Sequence, residues 1–243
     1  MKKKSLSVKK KKRNNLILKY LNNKIILKVF NEFKKTIDVN NSYAAAISGG
    51  PDSLALAFFC KCISTIHKTK IKYYLVDHKL RKESTQEAKK VLQILNKQKI
   101  NCKILTWKGP KPKSNIQSIA RNKRYELLKN QCKKNKIPFL LLGHHSDDLY
   151  ENFLLRILRG SGLKGMVSMD KVSKSNIDNI TIIRPLLDIK KSDLKKISKI
   201  VFNFFVEDPS NVNENFKRIR IRKLIRTLES EGLDKKKLKL TIK

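Results

Sequence analysis

Apolar positions recur at helical spacing from Leu16 to Phe33, through Leu16, Ile17, Tyr20, Leu21, Ile25, Leu27, Val29, Phe30 and Phe33, which predicts an opening helix. The pattern then shortens into strand-length apolar runs at Tyr43 to Ile47, Ile71 to Val76, Asn101 to Trp107, Phe139 to Leu142 and Ile180 to Ile183. Helical stretches lie between them. Leu54 to Phe59 continues the first run, Ser84-Thr85-Gln86-Glu87 reads as a capping box opening a helix to about Lys97, and Ser114 opens a long helix to about Lys134. Strands that alternate with helices and lack period-two polarity are buried on both faces. The fold class this predicts is α/β, a doubly wound, mostly parallel sheet of five strands. A further helix runs from about Lys190 to Phe202, followed by a polar turn at Glu207-Asp208-Pro209-Ser210-Asn211, a basic segment from Lys217 to Arg226 and a charged tail. The organisation expected is a basic N-terminal tail (1–15), an α/β domain (16–188) and a small helical, basic C-terminal extension (189–243).

In such sheets ligands bind beyond the carboxyl ends of the strands, and the sequence concentrates chemistry there. The first strand breaks into Ser48-Gly49-Gly50-Pro51-Asp52-Ser53 before a second apolar run of helical length. The glycines admit backbone angles closed to other residues and let a ligand approach the amides. Asp52 or Ser53 can cap the helix, whose N-terminal N–H groups then favour an anion, most plausibly phosphate. The loop has neither the Gly-Lys-Ser/Thr of a mononucleotide P-loop nor the spacing of a dinucleotide fingerprint. Asp77-His78, His144-His145 and Arg184 end three other strands and fall at the same edge.

His144-His145-Ser146-Asp147-Asp148-Leu149-Tyr150-Glu151 gathers two imidazoles and three carboxylates. With a helix starting near Ser146, Asp148 and Glu151 share one face at i, i+3. This donor set suits a hard magnesium site or a pocket for a cationic substrate. A glycine-rich basic loop, Arg156 to Gly165, could meet phosphate, and Arg121 and Arg124 stand at i, i+3 on the long helix.

Charge changes the picture. The 243 residues carry 57 Lys+Arg against 20 Asp+Glu, a formal net charge of +37, which implies a polyanionic partner and favours nucleic acid. A codon bias towards lysine, asparagine and isoleucine would raise the same number. Cys60, Cys62, Cys102 and Cys132 show no metal-ligand spacing and read as buried thiols in a reducing compartment. Met1 to Arg13 carries eight basic residues without an apolar run, unlike a secretory signal. A cytoplasmic protein without a membrane segment is expected; nothing in the pattern speaks to oligomeric state.

Ser-Gly-Gly-Pro-Asp-Ser resembles the pyrophosphate loop of the N-type ATP pyrophosphatases. Taken with Val76-Asp77-His78, Ala120-Arg121-x-x-Arg124-Tyr125, Gly143-His144-His145-x-Asp147-Asp148-x-x-Glu151, Arg159-Gly160-Ser161-Gly162-x-x-Gly165, Arg184-Pro185-Leu186-Leu187 and Asp208-Pro209-Ser210-Asn211, it is similar to the tRNA(Ile)-lysidine synthase family over about residues 43 to 226. The resemblance implies a PP-loop, adenine nucleotide alpha hydrolase-like fold and an ATP-dependent ligase. It implies that ATP and Mg2+ bind at Ser48, Gly49, Gly50, Pro51, Asp52 and Ser53, with Asp77 and His78 beside them and Asp52 near the metal. The family joins L-lysine to the wobble cytidine of a tRNA(Ile) with a CAU anticodon. The cytidine C2 oxygen attacks the α-phosphate, diphosphate leaves, and the lysine amine displaces AMP. Asp52, Arg121, Arg124, His144, Asp148 and Glu151 are then the expected catalytic residues, with Asp148 and Glu151 holding lysine. Arg156, Arg159, Lys164, Arg184, Arg218, Arg220 and Arg222 are expected on tRNA. Asn152 stands where the family pattern usually has threonine, and longer relatives carry further C-terminal domains. Competing readings are a tRNA thiolase, whose paired cysteines have no counterpart in the loops here, an amidotransferase-type synthetase, and a non-catalytic RNA-binding module.

Overall fold

The computed structural model describes residues 16–110, 112–162, 169–174, 178–207 and 216–242; the basic tail, Lys164 and the Asp208 to Asn211 turn lie outside them. At its centre is β1 (Ser42–Ile47), whose Tyr43, Ala44, Ala45 and Ile47 are buried. The small alanine side chains let helices close on both faces. β1 pairs in parallel with β2 (Lys70–Asp77) on one side and β4 (Phe139–Leu141) on the other, with Ala45 opposite both Tyr73 and Leu141. β3 (Cys102–Thr106) adds to β2, and β6 (Thr181–Ile183) to β4.

The order is β3-β2-β1-β4-β6-β5, a sheet of six strands rather than five. The extra strand, β5 (Val172–Lys174), runs antiparallel to β6 at the edge. Val-Ser-Lys is half polar because an edge strand meets water, so it makes no apolar run. Chain order reverses between β1 and β4, which defines a switch-point crevice at their carboxyl ends.

Two helix starts differ from expectation. The opening apolar stretch is not one helix: a 3₁₀ turn (Leu18–Asn22) precedes α1 (Lys24–Lys34). Asn23 between them is extended, and its side-chain oxygen accepts from the N–H groups of Ile25 and Ile26 at 3.0 and 3.3 Å, capping α1. α2 (Pro51–His67) begins with Pro51 at its first position and Gly50 as N-cap, without a side-chain cap from Asp52 or Ser53. Proline fits there because that N–H has no partner within the helix.

α2 is buried from Leu54 to Cys60. α1, α3 (Ser84–Lys97) and α6 (Lys191–Phe202) share its face of the sheet, around Phe30, Phe33, Phe58 and Phe59 with Val91, Leu95, Leu194 and Ile197. Phe59 lies 5.1, 5.5 and 5.9 Å from the ring centres of Phe58, Phe33 and Phe30. α6, the first helix beyond residue 188, therefore packs into the sheet's own core. On the other face α4 (Ile116–Lys134) sets Leu128 and Cys132 against Ala44, Tyr74, Leu105 and Leu140. A third cluster joins α5 (Ser146–Ile157) to α7 (Lys217–Ser230) and α8 (Lys235–Ile242), through Leu149, Tyr150, Leu155, Ile221, Ile225 and Ile242.

Truncating the aromatic hub should be costly: Phe59→Ala is expected to lose about 3–5 kcal/mol in urea unfolding. Leu240→Ala, at a side chain 76% exposed, should stay within about 0.5 kcal/mol.

Candidate active site

The turn between β1 and α2 is held from within and from behind. Gly49 has φ +84°, and a Cβ there would fall 2.6 Å from Val91 Cγ2 and 3.0 Å from Val206 Cγ2, so only glycine fits. The Ser53 hydroxyl donates to Gly50 O at 3.0 Å and accepts from the Ser48 N–H at 3.1 Å. Ser48 Oγ lies 3.2 Å from it. Ser53 is thus the internal staple of the loop. Val206 N–H donates to Gly49 O at 2.9 Å, and the Ser198 hydroxyl of α6 donates to Pro51 O at 2.6 Å.

The second half of the site is the start of α5. Its N-cap is His145, whose N–H donates to Asp148 Oδ2 at 3.0 Å while Nδ1 accepts from the Asp147 N–H at 3.2 Å. That leaves the proton on Nε2, which lies 3.4 Å from Asp52 Oδ2 and 3.5 Å from Asp148 Oδ2. One buried imidazole, 2% exposed, thus bridges the first turns of α2 and α5. Gly143, at the end of β4, makes the approach possible: a Cβ there would come within 3.1 Å of the Asp52 carbonyl and the Ser53 nitrogen. Burial works against a charge on His145, but the two carboxylates outweigh it and raise its pKa. Asp52 Oδ1 is buried without a partner, an oxygen left for a ligand.

Around His144 the sign of charge changes. Burial pushes its pKa down to about 4, Asp148 opposes that, and Arg184, Arg121 and Arg218 add to it. Three arginines from different parts of the chain thus act on one neutral imidazole, whose Nδ1 is buried and unpartnered. Burial alone would raise the pKa of Asp148, but His145, His144 and the His145 N–H hold it below the usual carboxylate range. The switch point therefore sets the Asp52 and Asp148 carboxylates beside a cationic rim.

Other sequence-singled residues have partners of their own. Asp77 accepts from the Lys79 N–H at 3.0 Å and from the Ser84 and Thr85 hydroxyls at 2.9 and 2.7 Å. The capping box read at Ser84 is therefore absent: Glu83 is the N-cap, without a side-chain bond, because Asp77 draws both hydroxyls away. His78 lies 3.5 Å from Arg124 Nε, and burial with Arg124's charge pushes its pKa down to about 4. Arg121 Nη2 donates to Tyr125 OH at 3.3 Å. Arg184, 9% exposed, donates from Nη1 to Asp170 O and Ser173 Oγ at 2.7 Å each, which ties it to the β5–β6 edge. Arg156 and Arg218 are half-buried, while Arg159 and Arg220 are exposed.

Glu151 is 2% exposed, and Arg222 of α7 engages both its oxygens, Nε to Oε1 at 2.5 Å and Nη2 to Oε2 at 3.3 Å. Such bidentate pairs are strong and directional. A separate groove between α5 and α8, lined by Asp147, Tyr150, Lys191, Glu229, Asp234 and Lys235, includes neither Asp52 nor Asp148.

The sequence placed His145 at this edge but gave it no role of its own, whereas Gly143, Ser198 and Val206, which act through close packing and backbone hydrogen bonds, carried no signal that tied them to the site.

A glycine turn on a helix start, at the switch point of a doubly wound, mostly parallel sheet, defines an α/β fold whose turn has the form of a phosphate seat. The chain belongs to the PP-loop domain family, which it matches over residues 21–228. It is 40% identical over 189 residues to the tRNA(Ile)-lysidine synthase of Orientia tsutsugamushi (strain Boryong), covering 78% of this chain and 42% of that protein. It is 37% identical over 206 residues to the same-named protein of Wolbachia pipientis wMel, covering 83% and 47%. The chain spans about half the length of the curated relatives it matches. Among solved structures, the U34-tRNA thiolase NcsA from Methanococcus maripaludis with its [4Fe-4S] cluster shares the fold, at TM-score 0.73 and 18% identity over 87% of this chain and 75% of that one. Among the described residues no helix is long and apolar enough to cross a membrane.

The neutral histidines give acid lability. His78 and His144 stay unprotonated in the fold down to about pH 4, whereas the unfolded chain binds those protons near pH 6.5, so stability falls as pH drops from 6.5 to 4. His145, with its raised pKa, contributes the opposite slope, lost as pH rises through its folded value. The urea midpoint should fall across the acid window, and His144→Asn should flatten that dependence.

Proposed function

We propose that this chain is a cytoplasmic, ATP-dependent ligase that joins L-lysine to the wobble cytidine of a CAU-anticodon tRNA(Ile), changing its decoding from AUG to AUA. The observation that carries the reading is the meeting of the phosphate-type turn and an acid-bearing helix start through the Asp52–His145–Asp148 bridge, in a chain 40% and 37% identical over its matched length to two proteins named for lysidine synthesis.

ATP lies along the carboxyl ends of the strands with its diphosphate over the N–H groups and positive dipole end of α2. The residues fit Mg2+: Asp52 Oδ1 is a buried, unpartnered hard oxygen, and Mg2+ typically takes one or two carboxylates together with phosphate oxygens. Bound there with ATP, it would neutralise charge on the leaving diphosphate. Arg121 and Arg218, near His144, stabilise charge growing on the α-phosphate. The cytidine, splayed from the anticodon loop, attacks the α-phosphorus through its C2 oxygen; the α–β anhydride breaks and diphosphate leaves. The lysine ε-nitrogen then attacks C2, the C2–O bond breaks, and AMP departs with the oxygen.

Asp148 is the acceptor for hydrogen bonds from the lysine ammonium, since its carboxylate stays ionised beside the imidazoles. Glu151 completes the seat where lysine displaces or shares with Arg222. RNA meets the basic rim at Arg156, Arg159, Arg218 and Arg220, and Lys164, outside the described residues, is expected to join them. A sulfur-transfer reading is disfavoured: burial pushes Cys62 and Cys102 up to about 12 and Cys132 to about 11, and raises Cys60 further, so no thiolate is ready.

Exchange of labelled diphosphate into ATP, dependent on CAU tRNA but not on lysine, isolates the first step. Asp52→Ala should abolish it. Glu151→Ala should retain part of it and raise the KM for lysine about tenfold or more; an unchanged lysine KM would remove Glu151 from the amine seat. Affinity for tRNA should fall steeply with salt, by a factor on the order of 10³ between 50 and 200 mM if about six phosphates are contacted.

A further inference from the structure

Trp107, the chain's single tryptophan, has no part in the chemistry above. The ladder between β2 and β3 runs on to it, Trp107 N–H donating to Asp77 O at 2.9 Å, so the indole stands at the carboxyl edge of the sheet. It is only half-buried. The His78 ring meets it nearly edge-on, at 81° with centroids 6.3 Å apart. Gly109 packs against its nitrogen, where a Cβ would fall 2.4 Å from Nε1. The loop after β3 is therefore shaped round the indole and requires glycine there.

Two observations point to a ligand. His78 Nδ1 is buried with no partner, beside an aromatic surface on which no ring among the described residues stacks in parallel. Arg124, 3.5 Å from His78, brings a cation to the same edge. The β3 end stands two strand spacings from the β1 turn, about 10 Å at about 4.8 Å each, a span that a ribose and an α-phosphate bridge.

We propose that Trp107 and His78 form a nucleobase platform: the base stacks on the indole and His78 Nδ1 takes its polar edge. The inference rests on the nucleotide reading above and adds a binding residue to it. A nucleotide base and an unstacked base of an RNA loop present the same π-face, and base–aromatic stacking tolerates any base. Stacking holds the base end of the ligand while the Ser48 to Ser53 turn holds its phosphates.

The test uses the full chain and its one tryptophan as reporter, excited beyond the absorption of adenine, with binding measured in parallel by equilibrium dialysis. ATP should quench the emission and inorganic tripolyphosphate should not, since it carries no base. Trp107→Ala should weaken ATP binding about 5- to 100-fold, and Trp107→Phe should restore most of it. Quenching by a CAU anticodon stem-loop, with none by retained ATP, assigns the platform to an RNA base. If ATP and the stem-loop are both retained and neither alters the emission, or if tripolyphosphate quenches as strongly as ATP, the platform is overturned while the ligase reading stands. If ATP is not retained at all, the ligase reading fails, and the stem-loop alone then decides the platform: quenching upholds it, silence overturns it.

Discussion

The shared imidazole of His145 is the contact on which the site depends. Two helices begin at neighbouring strand ends, each with a carboxylate in its first turn, and those carboxylates would repel one another if nothing stood between them. Nε2 of His145 faces both, while Nδ1 and the backbone N–H cap the second helix. A single side chain therefore fixes a helix start, a pair of anions and their spacing. The positive ends of the two helices favour negative charge at both first turns. The absence of a side chain at Gly143 lets the two first turns come this close.

Charge is organised on two scales. Globally the chain is strongly basic, which draws a polyanion from a distance. Locally, Asp52, Asp148 and Glu151 lie among arginines and the His144–His145 pair, and such a mixture can separate an amine from phosphates over a few ångströms. The neutrality of His144 matters here: a further cation beside the three arginines would compete with the proposed amine for Asp148.

Much of the architecture was legible in the sequence because parallel strands covered on both faces leave mostly apolar runs, and β1, β2, β3, β4 and β6 did so even with Lys72 and Lys103 interrupting β2 and β3. β5 escaped because Val-Ser-Lys leaves no run. The break at Asn23 escaped because apolar spacing continues across it. The Ser84 capping box misled because a serine and a threonine serve any nearby acceptor, and Asp77 was nearer than the helix's own N–H groups. The glycine turn and the acid-rich helix were legible as local motifs, and their facing one another followed from the topology. What side chains do with distant partners was not legible. Arg184 is held at the sheet edge by Asp170 and Ser173, and Arg222 reaches a carboxylate 71 positions earlier.

That last pair ties the interior acid Glu151 to a helix near the end of the described chain. A cation that takes Glu151 from Arg222 weakens the seating of α7, and whatever lifts α7 frees the acid for a cation. By linkage the two effects are equal in free energy, so the docking of α7 and the filling of the proposed amine seat form one balance, readable from either end.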